Sequence, residues 1–281
     1  MILTAAVQMT STSNEESNWE QARTLIERAA GLGARFVATP ENTNYLGPHE
    51  EKVRRAEPLD GKTGQRFANL ARTLGLHLLV GSFNERSDDA ARCYNTSVLF
   101  SPEGTILATY RKVHMFDIDL PDLKFMESAT CLPGAGPVVV ATPFGKLGLS
   151  ICFDLRFPEH YRELVDQGAE ILLIPSAFTR PTGKDHWEIL LRARAIESQC
   201  YLVAPAQVGK HDDGGLKESW GHSMILDPWG VVLADAPDGP GVVTAEIDLE
   251  RVAEVRRRLP LLRHAGANAT KERAEAAVAA R

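Results

Sequence analysis

The chain has 281 residues, 44% apolar and 24% charged, enough to bury a substantial core as one large α/β domain or two smaller ones. Thirty-one basic against 37 acidic side chains give a formal charge of -6, and the one basic cluster is Arg256, Arg257 and Arg258. A nucleic-acid partner, which needs clustered positive charge, is therefore not expected, and no apolar run nears the roughly 20 residues that span a bilayer.

The opening residues lack a basic start and a cleavage-like ending, so 2–7 reads as a buried strand and not a signal peptide. Residues 15–30 carry helical spacing through Trp19, Ala22, Leu25, Ile26 and Ala29, and 34–39 is a second strand that runs into Pro40-Glu41. The spacing predicts a helix over 64–74 and a strand over 76–83. Residues 94–100 and 105–110 read as strands joined by a turn at Ser101-Pro102-Glu103-Gly104. Residues 115–137, with Pro121, Pro133, Gly134 and Gly136, read as a long loop, a common source of lids and site walls.

A second hairpin, 138–142 and 146–151, turns at Pro143-Phe144-Gly145 and delivers Cys152. Helices are predicted over 158–167 and 184–198, and strands over 171–175 and 201–204. The stretches 219–226, 230–234 and 241–247 are strand-like, and 250–258 is a short helix. No linker or repeat divides the chain, so it reads as one α/β domain with helices outside a mixed sheet core. Cys93, Cys131, Cys152 and Cys200 form no CxxC or CxxH pair, which argues against zinc and disulfides and for the cytoplasm.

Cys152 stands at a strand-to-helix junction in Gly148-Leu149-Ser150-Ile151-Cys152-Phe153-Asp154. Such an elbow presents a nucleophile and leaves the next backbone N–H, that of Phe153, to bind an oxyanion. Glu41 also lies just past a strand end, and ligands of parallel sheets gather outside the strands' carboxyl ends. Lys112 follows the strand 105–110. Taken singly, these are an inert buried thiol, a capping or solvated acid and a surface amine. Together they are a base, a cation and a nucleophile, a complete set for acyl transfer.

The strings Pro40-Glu41-Asn42, Tyr110-Arg111-Lys112-Val113-His114 and Cys152-Phe153-Asp154-Leu155-Arg156-Phe157-Pro158-Glu159 resemble the three signatures of the nitrilase superfamily, the carbon-nitrogen hydrolases. Pro175-Ser176-Ala177-Phe178, His186-Trp187-Glu188, 192–197 and Gly221-His222-Ser223-Met224 are similar to its Nit-type amidase branch. The resemblance runs from Ile2 to about Leu262. It implies a hydrolase domain over 1–262 in a four-layer α-β-β-α sandwich, with 263–281 as a tail.

It further implies hydrolysis of a small carboxylate-bearing amide, as in deaminated glutathione amidase, with omega-amides, N-carbamoyl amino acids and nitriles as alternative substrates. No cofactor, nucleotide or metal is implied. Glu127, in Lys124-Phe125-Met126-Glu127-Ser128, matches a second family glutamate, with a solvated loop acid as its plainer reading. A free thiol has a pKa near about 8.5, so Glu41 is expected to take its proton as Cys152 attacks the amide carbon. Lys112 and the Phe153 N–H would hold the oxyanion, Glu41 would protonate departing ammonia, and water would hydrolyse the thioester. Arg156, four residues on, suits a substrate carboxylate, or pairs with Asp154 or Glu159. Phe116, Phe178 and Thr182 would line the pocket by resemblance. His114, His186 and His222 read as packed or capping residues. The family forms homodimers or larger homo-oligomers, and Ile189, Leu190, Leu191, Ala193 and Ile196 are candidates for such a face.

Overall fold

The computed structural model describes residues 1–120, 123–212 and 218–262; the expected tail 263–281 lies outside them. The first half runs β1 (Ile2–Gln8), α1 (Glu15–Gly31), β2 (Phe36–Ala38), α2 (Lys62–Leu74), β3 (His77–Glu85), β4 (Cys93–Phe100) and β5 (Ile106–Arg111). A hairpin of β6 (Asp117–Leu120) and β7 (Leu123–Met126) and the short β8 (Cys131–Leu132) follow. The second half runs β9 (Val138–Thr142), β10 (Gly145–Leu149), α3 (Pro158–Asp166), β11 (Ile171–Leu173), α4 (Arg180–Ser198) and β12 (Tyr201–Ala204). It ends with β13 (Val208–Lys210), β14 (Glu218–Trp220), β15 (Met224–Leu226), β16 (Val232–Asp235), β17 (Gly241–Ile247) and α5 (Leu249–Arg258).

Two sheets form the centre. One has the order β17-β1-β2-β3-β4-β5 with β8 beside β4, and the other β16-β15-β12-β11-β10-β9. β1, β2 and β3 are parallel neighbours, as are β10, β11 and β12. The inner strands β1 to β4 of the first sheet are buried on both faces, which explains the nearly unbroken apolar sequence of β1 and β2. Ala5, Val7, Val37, Leu78, Val80 and Val98 face Ala22, Leu25 and Ile26 of α1 and Phe67, Leu70 and Ala71 of α2. The alternate residues Ala6, Phe36, Ala38, Leu79 and Leu99 face inward and share a core with Leu147, Leu149, Ile171 and Leu173. Tyr161, Leu164, Trp187 and Leu191 of α3 and α4 join that core from the far side. The layers are therefore α-β-β-α, as the resemblance implied. A truncation in the central layer, such as Leu79→Ala, should cost about 2–5 kcal/mol.

Four local expectations are corrected. The supposed loop 115–137 contains a hairpin and a strand, because four-residue strands are too short to show periodicity above their Pro and Gly neighbours. Residues 219–226 are two strands in different sheets, broken where Gly221 and His222 take φ of 80° and 55°. β13 was not foreseen. α4 starts at Arg180, four residues early, because Pro181 sits in the first turn, where its missing N–H costs nothing.

Candidate active site

Glu41 lies three residues past β2 on a turn stitched by Thr43 Oγ1 donating to the Pro40 carbonyl (2.6 Å) and the Thr43 N–H to the Ser82 carbonyl (2.9 Å). From the other half of the chain, Gln207 Nε2 donates to the Glu41 carbonyl at 2.9 Å. The carboxylate is thus aimed inward by backbone it does not control. Its Oε1 accepts from Lys112 Nζ and from Asn95 Nδ2, both at 2.9 Å, and its Oε2 from the Ala177 N–H at 2.9 Å.

Lys112 follows β5 directly and is 1% exposed, so it is no surface amine. Its Nζ also donates to Glu127 Oε2 at 2.8 Å. Glu127, just past β7, is no solvated acid either: it accepts from the Phe116 N–H at 2.7 Å and from Asn95 Nδ2 at 3.2 Å. Burial alone pulls the Lys112 ammonium down, but Glu127 and Glu41 together outweigh it and hold the amine well above its usual value. Burial alone raises Glu127, yet Lys112, Lys52 and its hydrogen bonds keep the carboxyl far below the usual carboxylate range.

Cys152 opens a short 3-10 turn, Cys152–Arg156, with φ of 49°. Left-handed backbone at a residue with a side chain is uncommon and concentrates at functional sites. The turn is held by the Cys152 N–H on the Pro175 carbonyl at 2.9 Å. The thiol, in a residue 7% exposed, lines the same pocket as Glu41, Lys112 and Ala177. Burial pushes the thiol well above its usual pKa, and Glu41 raises it further than Lys112 relieves it. The resting sulfur is therefore a protonated thiol, kept so by burial and by the nearby Glu41 carboxylate.

One buried carboxylate aligns the two loops. Asp154 accepts from Tyr110 Oη (2.7 Å), the His114 N–H (3.0 Å) and the Ile151 N–H (2.8 Å), and its Oδ1 lies 2.7 Å from His114 Nδ1. It clamps the strand end bearing Lys112 to the turn bearing Cys152. Burial would raise its pKa, but these bonds and His160 lower it below the usual value.

Beside the thiol, Phe116, Phe153, Arg156, Phe178 and Thr182 line one pocket with Cys152 and Ala177. The Arg156 guanidinium lies 5.0 Å from the Phe178 ring and 5.8 Å from that of Phe153, with Nη1 3.4 Å from His186 Nδ1. It pairs with neither Asp154 nor Glu159, and no carboxylate among the described residues bridges to it. His114 stacks on Phe157 at 3.7 Å, and His222 lies 3.1 Å from Asp235. No group of three or more His, Cys, Asp or Glu among the described residues is arranged to hold a metal, and no helix there is long and apolar enough to cross a membrane.

Sequence reading missed Asn42, Lys52, Asn95 and the role of Asp154. Lys52 is buried among Glu127, Glu41, Cys131 and Cys93; burial lowers its pKa, and these neighbours raise it to a net value above the usual one. Asn95, a polar side chain amid the β-formers of β4, was the one visible signal.

The carbon-nitrogen hydrolase family model matches residues 3–257. A deaminated glutathione amidase from Synechocystis is 46% identical over 266 residues, covering 93% of this chain and 97% of that protein. The crystal structure of the C. elegans NitFhit protein superposes with a TM-score of 0.88 at 39% identity; the match covers 94% of this chain and 64% of that one. Saccharomyces cerevisiae Nit3, from branch 10 of the nitrilase superfamily, gives 0.83 at 31% identity over 92% of this chain and 94% of its own. The chain is a member of the carbon-nitrogen hydrolase family of the nitrilase superfamily, and an amidase.

Proposed function

We propose that this amidase hydrolyses a small carboxylate-bearing amide, deaminated glutathione foremost, through a thioester on Cys152. The observation that carries the reading is Lys112 Nζ held between Glu41 (2.9 Å) and Glu127 (2.8 Å), with Cys152 lining the same pocket as all three. Glu41 takes the thiol proton as sulfur attacks the amide carbon. The Lys112 ammonium and the Phe153 N–H stabilise the oxyanion. Glu41 then protonates the departing amine, which is ammonia from a primary omega-amide and cysteinylglycine from deaminated glutathione. Water hydrolyses the thioester with Glu41 as base again. Glu127 fixes Lys112 in place and in its charged form.

Arg156 grips the substrate carboxylate, because its unbridged guanidinium sits on the wall of an otherwise aromatic pocket with Thr182 beside it. The relatives named for deaminated glutathione favour that substrate over alpha-ketoglutaramate. The deciding experiment compares product release from both amides, beside Cys152→Ala, with intact-mass detection of the acyl-enzyme. Turnover by the alanine variant would refute the thioester, and faster alpha-ketoglutaramate hydrolysis would move the assignment to an omega-amidase.

Four free buried cysteines fit a cytoplasmic protein. Residues 1–262 form the hydrolase domain, and removal of 263–281 should leave it folded. The enzyme is a homodimer or larger homo-oligomer: Ile189 and Ile196 of α4 stand exposed, as do Trp229, Val231 and Leu233, and Gly230 packs against Ile196. Leu191 and Ala195, by contrast, belong to the core.

A further inference from the structure

We propose that Lys52 is a positioning residue for amide hydrolysis: it is the second buried cation of the cleft, balances the charge of Glu127, and through Glu127 steadies Lys112. This deepens the reading above and rests on the role given there to Glu127.

Lys52 closes the 3-10 turn His49–Glu51, its N–H on the His49 carbonyl at 3.2 Å. Its neighbours serve one another at the surface: Glu51 pairs with Arg54 at 3.1 Å and with Arg55 at 2.8 Å. Lys52 and Ala56, four residues apart, are instead 3% and 4% exposed. A lysine is almost never fully buried unless it is paired. Among the described residues, however, the Lys52 side chain makes no hydrogen bond or ion pair, whereas Lys112 is held by two carboxylates. What Lys52 has is a shared pocket, for it lines one lobe of the cleft together with Glu41, Lys112, Glu127 and Cys152.

The charges of that lobe cancel only when Lys52 is counted. Two carboxylates, Glu41 and Glu127, bond the single ammonium of Lys112. That trio alone would bury an excess negative charge, which is costly in itself and opposes the oxyanion that forms when the sulfur attacks. With Lys52 the four groups sum to zero. Glu127 registers the difference: burial raises its carboxyl, and Lys112 and then Lys52 are the charges that bring it down. Without Lys52 burial is less opposed, so Glu127 takes up a proton at higher pH and Lys112 loses one of its two anions. Activity that needs Glu127 ionised would then be lost at a higher pH on acidification. Lys52 also faces Cys131 and Cys93, which do not line the lobe, so they must be separated from Glu127 by experiment.

The test is a double-mutant cycle on the full chain, with kcat and KM followed against pH on whichever of the two amides named above the parent hydrolyses faster. Lys52→Met keeps the stem and deletes the charge; Lys52→Gln is a second neutral replacement should the first not fold. Either should lower kcat about tenfold at neutral pH, leave KM within about twofold, and move the acid limb of kcat/KM up by about one pH unit. In a Glu127→Gln background Lys52 has no second carboxylate to balance, so the same replacement should cost at most about twofold and leave the limb in place. Cys131→Ala, made alone, should leave the limb in place as well. An equal loss with and without Glu127, no loss in either background, or a limb moved as far by Cys131→Ala would overturn the proposal. Glu127→Gln that turns over at the parent's rate, or a parent that hydrolyses neither amide, would instead remove the reading of the site beneath it.

Discussion

The floor of the cleft and the wall beside it are built on opposite principles. On the floor, the carboxylates of Glu41 and Glu127 and the amine of Lys112 are cross-linked through one another and through Asn95. On the wall, Arg156 rests against aromatic rings with no bridging acid among the described residues. Fixed, mutually satisfied charges cost little reorganisation when charge shifts during reaction, which suits bond-breaking. An unbridged cation with an apolar surround leaves its strongest interaction to be made by a ligand, which suits selection. On the function proposed above, the contrast places the chemistry in a preformed network and the substrate preference in one side chain and its rings.

Substitutions can break that division. Glu41→Gln removes the base proposed for both half-reactions, so kcat should fall about 10⁴-fold, read by steady-state turnover with the melting temperature as control. Glu127→Gln leaves Lys112 with a single carboxylate; acyl-enzyme formation should slow about 10²-fold with the fold intact, and unchanged turnover would refute its role. Arg156→Met should lower kcat/KM about 10- to 100-fold on carboxylate-bearing amides and barely alter neutral amides of equal length. Equal losses on both would mean that wall and floor are not separate. The smallest effect on catalysis should come from Asp154→Asn, whose cost lies in stability, about 3 kcal/mol at neutral pH. Asp154 is held below its unfolded pKa, so its contribution is full above the unfolded value and drains as pH falls through the folded one. Melting curves of parent and variant should stay apart from neutral pH down to the ordinary Asp value of about 3.9 and draw together only below it.

Legibility followed the same division. Glu41, Lys112 and Cys152 could be read because each stands in a distinctive string at a strand end, and Arg156 because it follows the sulfur by one short turn. Lys52 could not: in Glu50-Glu51-Lys52-Val53-Arg54-Arg55 it looks like any solvated lysine, and only tertiary packing turns it inward. The alternation of Ala5 and Val7 against Ala6 was hidden because both faces are apolar, so periodicity revealed strands but not two sheets. The break at Gly221-His222 is a backbone dihedral event within a stretch of strand formers. The clamp by Asp154 was invisible because its partners are scattered along the chain, the farthest, Tyr110, 44 positions away.

That clamp also bears on how the molecule fails. The acid and amine belong to the first half of the polypeptide and the sulfur to the second, so any slippage of one layer over the other would misalign them long before the chain unravels. Because Asp154 accepts from the amides of both His114 and Ile151, such slippage must release both at once. Deuterium uptake at those two amides should therefore rise in step during mild heating, and activity should vanish with them while the outer helices are still protected.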